Sequence, residues 1–231
     1  MSLKKYLREQ SYDLIDGPVR NHKLLQLWRK RLLDRIENYY EHIDHAFTSS
    51  HPLTEVTNNA LNVNTTKKDD YSFNIGLTVL EDILKSIGLG NLSVTAEIKS
   101  GKKISISYDN AITKEIPVGE IENYLFNADF KHANPELLRS ANRNTIIVIS
   151  GVVLAKNLVV NIETSFQLNA EVIAKLNTIG DGKLDFSISN ESTLKMVSHG
   201  TSFFPIAVKA NRIDFDKGEF DRLSLVSNDL F

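Results

Sequence analysis

Residues 92–108, LSVTAEIKSGKKISISY, constrain the fold more than any other stretch of the chain. Leu92, Val94, Ala96 and Ile98 alternate with Ser93, Thr95 and Glu97, and Ile104, Ile106 and Tyr108 repeat the pattern beyond the glycine-containing turn KSGK. A helix turns about 100° per residue and would scatter these side chains around its axis, whereas a strand turns about 180° and sorts them onto two faces. Two such arms around a turn predict a β-hairpin with one apolar and one polar face. An apolar strand face must be buried, so the rest of the chain has to supply a sheet and its cover.

The flanking sequence supplies both. Leu80, Ile83, Leu84 and Ile87 recur at helical spacing up to Gly88. VGEIENYL at 118–125 and NPELLRSA at 134–141 predict two short helices, the second with Asn134 as N-cap and Pro135 at its first position. The stretch 144–170 is rich in β-branched residues without helical spacing and predicts strands bent near Gly151. EVIAKLNTIGDGK reads as a helix or long turn, and LDFSISN, TLKMV and FPIAVKANRIDF read as closing strands. The polar run 54–72 suits loop or short extended structure. The expected class is α+β, a twisted antiparallel sheet with interspersed helices.

Composition removes several functions. The chain has 231 residues, 42% of them apolar, enough for one sizeable core. A formal net charge of −2 argues against a dedicated nucleic-acid binder, and no nucleic-acid partner is expected. The basic excess is confined to residues 1–50, with nine Lys/Arg against seven Asp/Glu. The absence of cysteine excludes disulfides, thiolate metal sites, cysteine nucleophiles and S-acylation. The start, MSLKKYLREQSYD, lacks the apolar core of a signal peptide. The longest apolar run, IIVISGVVLA, is about half the roughly 20 residues that a spanning helix needs. The expectation is a protein soluble and cytoplasmic at rest.

No catalytic constellation assembles. IGLGNL lacks the third glycine of a dinucleotide loop and precedes a strand; GDGK at 180–183 lacks the spacing and the hydroxyl of a phosphate loop. His42 and His45, with Glu41 or Asp44, could share one face of a helix, but no third ligand is defined, so a solvated face is the simpler reading. His199 has no serine or threonine in a nucleophile setting beside it. The sequence reads as a non-enzyme, with no cofactor and no metal.

The stretch LLQLWRKRLLDR at 24–35 carries leucines, the single tryptophan and a run of cations. On a helical wheel Leu25, Trp28, Leu32 and Ile36 form a stripe bordered by Arg29 and Arg35. As a strand, Leu25, Leu27 and Arg29 would share one face and Leu24, Gln26 and Trp28 the other. Periodicity alone favours a partly buried element whose arginines reach water along their stems.

The order of segments resembles the pore-forming domain of gasdermins, and the length is close to that of the bacterial members. YLREQSYDLI at 6–15 is similar to the family's opening, and LLQLWRKR at 24–31 to its basic, tryptophan-bearing segment. LSVTAEIKSGKKISISY, IPVGEIENYL, PELLRSANRNTIIVISGVVLAKNLVV and TSFFPIAVKANRIDFDKGEF follow in the family's order. Two features depart from its pattern. The N-terminal cysteine that bacterial members commonly lipidate is missing, and LLDRIENYYEHIDHAF looks more helical and acidic than its counterpart.

The resemblance implies a membrane pore-forming cell-death effector of bacterial defence, autoinhibited at rest and turning into a homo-oligomeric barrel of amphipathic hairpins. Residues 73–108 and 157–190 are the segments expected to convert, with Leu92, Val94, Ala96, Ile98, Ile104, Ile106, Tyr108, Leu184, Phe186 and Ile188 as strand positions. Lys4, Lys5, Arg8, Arg29, Lys30 and Arg31 would meet an anionic lipid membrane, and Trp28 its interface. Residues 1–213 would form the pore domain. Residues 214–231 would form an inhibitory tail, docked through Leu223, Leu225, Val226, Leu230 and Phe231 until a protease cuts near 214–222. The rival reading is a non-pore α+β module that binds or inhibits a partner.

Overall fold

The computed structural model describes residues 7–15, 22–31, 36–58, 73–74, 103–131, 134–163, 169–180, 184–190, 193–198 and 204–226. Its strands are β1 (Asp13–Leu14), β2 (Leu27–Arg29), β3 (Glu37–Tyr40), β4 (Phe47–Thr48), β5 (Val56–Asn58), β6 (Phe73–Asn74) and β7 (Lys103–Glu115). They continue as β8 (Asp129–Phe130), β9 (Ile146–Glu163), β10 (Leu184–Asn190), β11 (Thr193–Ser198), β12 (Phe204–Asp216) and β13 (Glu219–Val226). The helices are α1 (Val118–Phe126), α2 (Pro135–Asn142) and α3 (Ala170–Gly180). Among the described residues eleven strands join one antiparallel sheet, and β4 pairs with β8 in a second. The α+β class expected from the sequence is the architecture found.

The sheet is organised by β9, whose 18 residues extend for roughly 60 Å at strand rise. On one edge it pairs with β2 and then β7; on the other it pairs with β12 and then β11. Its first half is apolar on both faces because both are covered. Ile146 and Val148 face a cluster with Leu27, Ile43, Phe47, Ile121, Tyr124, Leu125, Leu137 and Ile213. Ile147 and Ile149 face a second cluster with Ile15, Trp28, Val208 and Ala210. A near-continuous apolar run is the signature of a strand buried on both sides.

β9 runs through Gly151 as one strand rather than two. The irregularity is a shift in register, with Ile149 opposite Ala210 and Gly151 opposite Lys209. Ser150 is the extra residue, and its hydroxyl donates to Asn211 Oδ1 at 2.6 Å. The bulge also moves Val152 onto the face that Ile149 occupies. Gly151 serves close approach, since a Cβ there would lie 2.8 Å from Tyr12 Oη and 3.1 Å from Lys209 Cβ.

Both short helices form where expected. Asn134 Oδ1 accepts the Leu137 N–H at 2.7 Å and caps α2, with Pro135 in the first turn. The helical look of LLDRIENYYEHIDHAF does not hold for its described residues, 36–47: Glu37–Tyr40 is strand β3, and among them only Ile43–His45 turns, as a short 3-10 helix. Tyr39 and Tyr40 suit a strand, and pairing with β2 overrides the local charge pattern. Of the opening hairpin, the arm 103–108 is the start of β7, while 92–98 and the helix expected near 80–87 lie outside the described residues.

Candidate membrane-contact face and C-terminal hairpin

The basic segment is a strand. Leu25, at φ 61°, turns the chain; its N–H donates to Ile149 O at 2.8 Å, and Ile149 N–H returns to Gln26 O at 3.0 Å. Leu27 and Trp28 then enter opposite clusters, at 0% and 1% exposure. Trp28 stacks on His22 with ring centroids 4.9 Å apart and planes within 6°. In this state the tryptophan is a core residue, away from any interfacial belt.

Arg29 shares the Leu27 face, as the strand reading required, and its surroundings are electrostatic. The chain leaves α2, turns at Asn144 and enters β9, whose Ile146 stands opposite Arg29. That path brings the first turn of α2 beside the end of β2. Arg29 Nη1 donates to Glu136 Oε1 at 2.7 Å, Arg29 Nε to Glu37 Oε1 at 2.7 Å, and its guanidinium lies 4.5 Å from the Tyr39 ring centroid. Arg31 Nη2 also donates to Glu136 Oε1, and Arg139 Nη1 donates to Glu136 Oε2 at 2.9 Å. Lys30 N–H donates to Thr145 O. Arg8 lies elsewhere, 3.4 Å from Asp13 beside β1; Lys4 and Lys5 are outside the described residues. Glu37, Tyr39, Glu136 and Arg139 were not singled out in the sequence: Glu136 and Arg139 lie over a hundred positions from Arg29, and Glu37 and Tyr39 meet it only once β3 pairs with β2.

Among the strand positions, Ile104, Ile106 and Tyr108 pair through β7 with Ile162, Val160 and Leu158 of β9. Leu184, Phe186 and Ile188 pair through β10 with Ser198, Met196 and Leu194 of β11. Helix α3 lies on β10, and the Asn177 side chain brackets Phe186, accepting its N–H at 2.6 Å and donating to its carbonyl at 3.1 Å. Phe186 is buried while Asp185 and Ser187 are exposed, so this strand is amphipathic, and the Asn177 bonds hold α3 at its free backbone edge among the described strands. Ile188 is 42% exposed.

The C-terminal segment contains a full strand. β13 pairs along β12 from Asp216↔Glu219 to Ala210↔Val226, so position 214 falls inside β12 rather than at a break. Leu223 packs on the first cluster, Val226 on the second, and Leu225 is 49% exposed; Leu230 and Phe231 lie outside the described residues. Asp214 fastens the two strands. Its Oδ2 accepts the Ser224 hydroxyl at 2.6 Å, its Oδ1 accepts Arg212 Nε at 2.7 Å, and Arg222 Nε is 3.6 Å away. Burial pushes this carboxyl up, but the hydrogen bonds from Arg212 and Ser224 and the charge of Arg212 outweigh it and hold the group below the usual carboxylate range.

A cleft of about 420 Å³ is lined by His42, Asp44, His51, Tyr124 and Lys131 among others. Its polar groups bond one another: Tyr124 Oη is 2.8 Å from Asp44 Oδ1, and His51 Nε2 is 2.8 Å from Glu120 Oε2. Burial and then the bond to Asp44 push the Tyr124 phenol up, which suits a fixed hydrogen bond rather than proton transfer. His42 caps its 3-10 turn by accepting the Asp44 N–H. Among the described residues no three His, Asp or Glu side chains converge as a metal site would require. No described helix is long and apolar enough to cross a membrane, which leaves strands untested in that role.

A long central antiparallel strand with bulged neighbours and short helices packed beside the sheet is the fold of a solved bacterial gasdermin. The bacterial gasdermin family model matches residues 15–219, and the chain belongs to that family. It is 26% identical over 164 residues to gasdermin bGSDM of Vitiosangium sp. (strain GDMCC 1.1324), covering 67% of this chain and 61% of that protein. It superposes on the structure of a bacterial gasdermin from Bradyrhizobium tropiciagri with a TM-score of 0.54 at 12% identity, covering 95% of this chain and 90% of that one.

Proposed function

We propose that this chain is a membrane pore-former held in an inactive form by its C-terminal hairpin strand and released by proteolysis in or beyond the β12–β13 turn. The observation that carries the reading is that β13 is an edge strand: it pairs with β12 alone among the described strands, yet Leu223 and Val226 pack on both core clusters. Removing it would uncover apolar surface and free the edge of β12 together, which is what conversion of a packed sheet into a larger one needs. β7 and β10 supply strands of the right kind, since β10 already exposes Asp185 and Ser187 while burying Phe186. In lipid a closed barrel leaves no unpaired backbone, so the active form is a homo-oligomer. Arg8, Arg29, Lys30 and Arg31, with Lys4 and Lys5, meet anionic headgroups at roughly 1 kcal/mol per cation close to the surface. The resting protein resides in the cytoplasm and the active one in the membrane.

The test is dye release from vesicles containing anionic lipid, comparing the intact chain with one cut at Lys217–Gly218. Release after cutting alone supports the reading. Release by the intact chain would place its control outside the hairpin, and silence from both across several lipid mixtures would favour a binding module that does not form pores.

A further inference from the structure

Glu136 stands at a point where three guanidinium groups converge. Its Oε1 accepts from Arg29 and Arg31, and its Oε2 from Arg139, so both carboxylate oxygens are taken by arginine. Counting Glu37, three guanidiniums meet two carboxylates, and positive charge remains in excess. The site is open. Side-chain exposure is 44% at Arg31, 57% at Arg139 and 39% at Glu136, against 13% at Arg29, which Tyr39 and Glu37 hold in place. One arginine is therefore pre-set and two can swing.

The chemistry of that arrangement is the recognition of a phosphate group. The two non-bridging oxygens of a phosphodiester present the same fork as a carboxylate, and a phosphomonoester adds charge that would match the excess. We propose that Arg29, Arg31 and Arg139 form a phosphate-binding site that Glu136 fills in the resting fold as an internal substitute for the ligand. Glu136 is held there by two independent features. The Asn134 cap orients the first turn of α2, and the positive end of that helix favours a carboxylate. An incoming phosphate must displace it, so Glu136 sets how much anionic charge a surface needs before the arginines let go. Arg139, from a helix about a hundred residues beyond the basic segment, becomes a ligand in its own right. The proposal rests on the membrane reading above, and lipid headgroups and soluble phosphates share the chemistry.

The experiment compares the full-length wild type, Glu136→Gln and the charge-matched Glu122→Gln for binding to phosphatidylcholine vesicles containing phosphatidylglycerol, and separately to inorganic pyrophosphate. Glu136→Gln should bind the vesicles about 5-fold more tightly at low salt, with the gain fading as salt rises. Glu122→Gln should match the wild type, and the gain should vanish when Arg29, Arg31 and Arg139 are also changed to Gln. If Glu136→Gln matches the wild type while neutralising Lys4, Lys5, Arg8, Arg29, Lys30 and Arg31 abolishes vesicle binding, the membrane reading stands and the role of Glu136 is wrong. If no variant binds vesicles even after cutting at Lys217–Gly218, or all bind alike, the membrane reading fails and pyrophosphate decides. A similar gain there keeps the site with a soluble ligand, and no gain overturns it.

Discussion

Gly151 and Asp214 show how much a single residue decides in this sheet. At Gly151 the neighbours are already in place: Tyr12 Oη would lie 2.8 Å from an added Cβ, Lys209 Cβ 3.1 Å and Glu115 Cγ 3.3 Å. Tyr12 donates to Glu115, so it cannot retreat without losing that bond. Gly151→Ala should lower stability by about 1–3 kcal/mol in urea unfolding, because the clash is partly with atoms held by the β9–β12 and β7–β9 ladders. Asp214 makes a pH prediction. Its folded pKa lies below the ordinary value of 3.8, so its stabilising effect is present above that value and is lost as pH falls through the folded one. Asp214→Asn should cost about 1–3 kcal/mol at neutral pH and should flatten the acid limb of the stability profile below pH ~4. The sequence shows an aspartate in DFD here; that it is buried and bonded to Ser224 and Arg212 appears only once β13 has folded back.

At the scale of elements, α2 was readable in the sequence, whereas the β12–β13 turn is only two residues of the exposed region expected at 214–222. NPELLRSA carries its own cap and its own proline, so α2 follows from local chemistry. Asn134→Ala should cost about 1 kcal/mol, measured by thermal or urea unfolding, and should loosen the first turn that positions Glu136. The turn Lys217–Gly218 has φ of 51° and 90°, the mirror-image geometry that matches the twist of paired strands. A protease has to open that turn before it can cut. Trypsin cleavage at Lys217 should therefore be slow in the native protein and several-fold faster in Asp214→Asn, as read by mass spectrometry over time. The basic segment was ambiguous between helix and strand because its apolar residues, Leu25 and Trp28 among them, can be sorted by either period; β9 settled it by offering Ile146 to Val148 as partners. The acidic, helical look failed at 37–40 for the same reason, since β3 exists only by pairing with β2.

For the whole molecule, the reading of β13 as a releasable strand can be tested by refusing it release. The protein has no cysteine, so a designed pair is unambiguous. Ala210 and Val226 stand opposite each other, and the Cα separation of such partners, about 4.5–5.5 Å, falls within the range of a disulfide. A chain carrying Ala210→Cys and Val226→Cys, oxidised and then cut at Lys217, should stay silent in dye release and should recover release on reduction. Release while oxidised would mean that detachment of β13 is not the controlling event.

By itself the sequence determined the parts whose cause is local: the α+β class, the capped helix α2, and the strands at 184–190 and 204–215. Alternation and caps act over a few residues, so they survive being read without a structure. The tertiary structure decided which residues meet. It sent Trp28 into the core, placed a bulge at Ser150 beside Gly151, made residues 219–226 part of the sheet, and set Glu136 among Arg29, Arg31 and Arg139. Those outcomes depend on backbone pairing across about ten to over a hundred positions, where burial and register outweigh local preference and no short pattern carries the information.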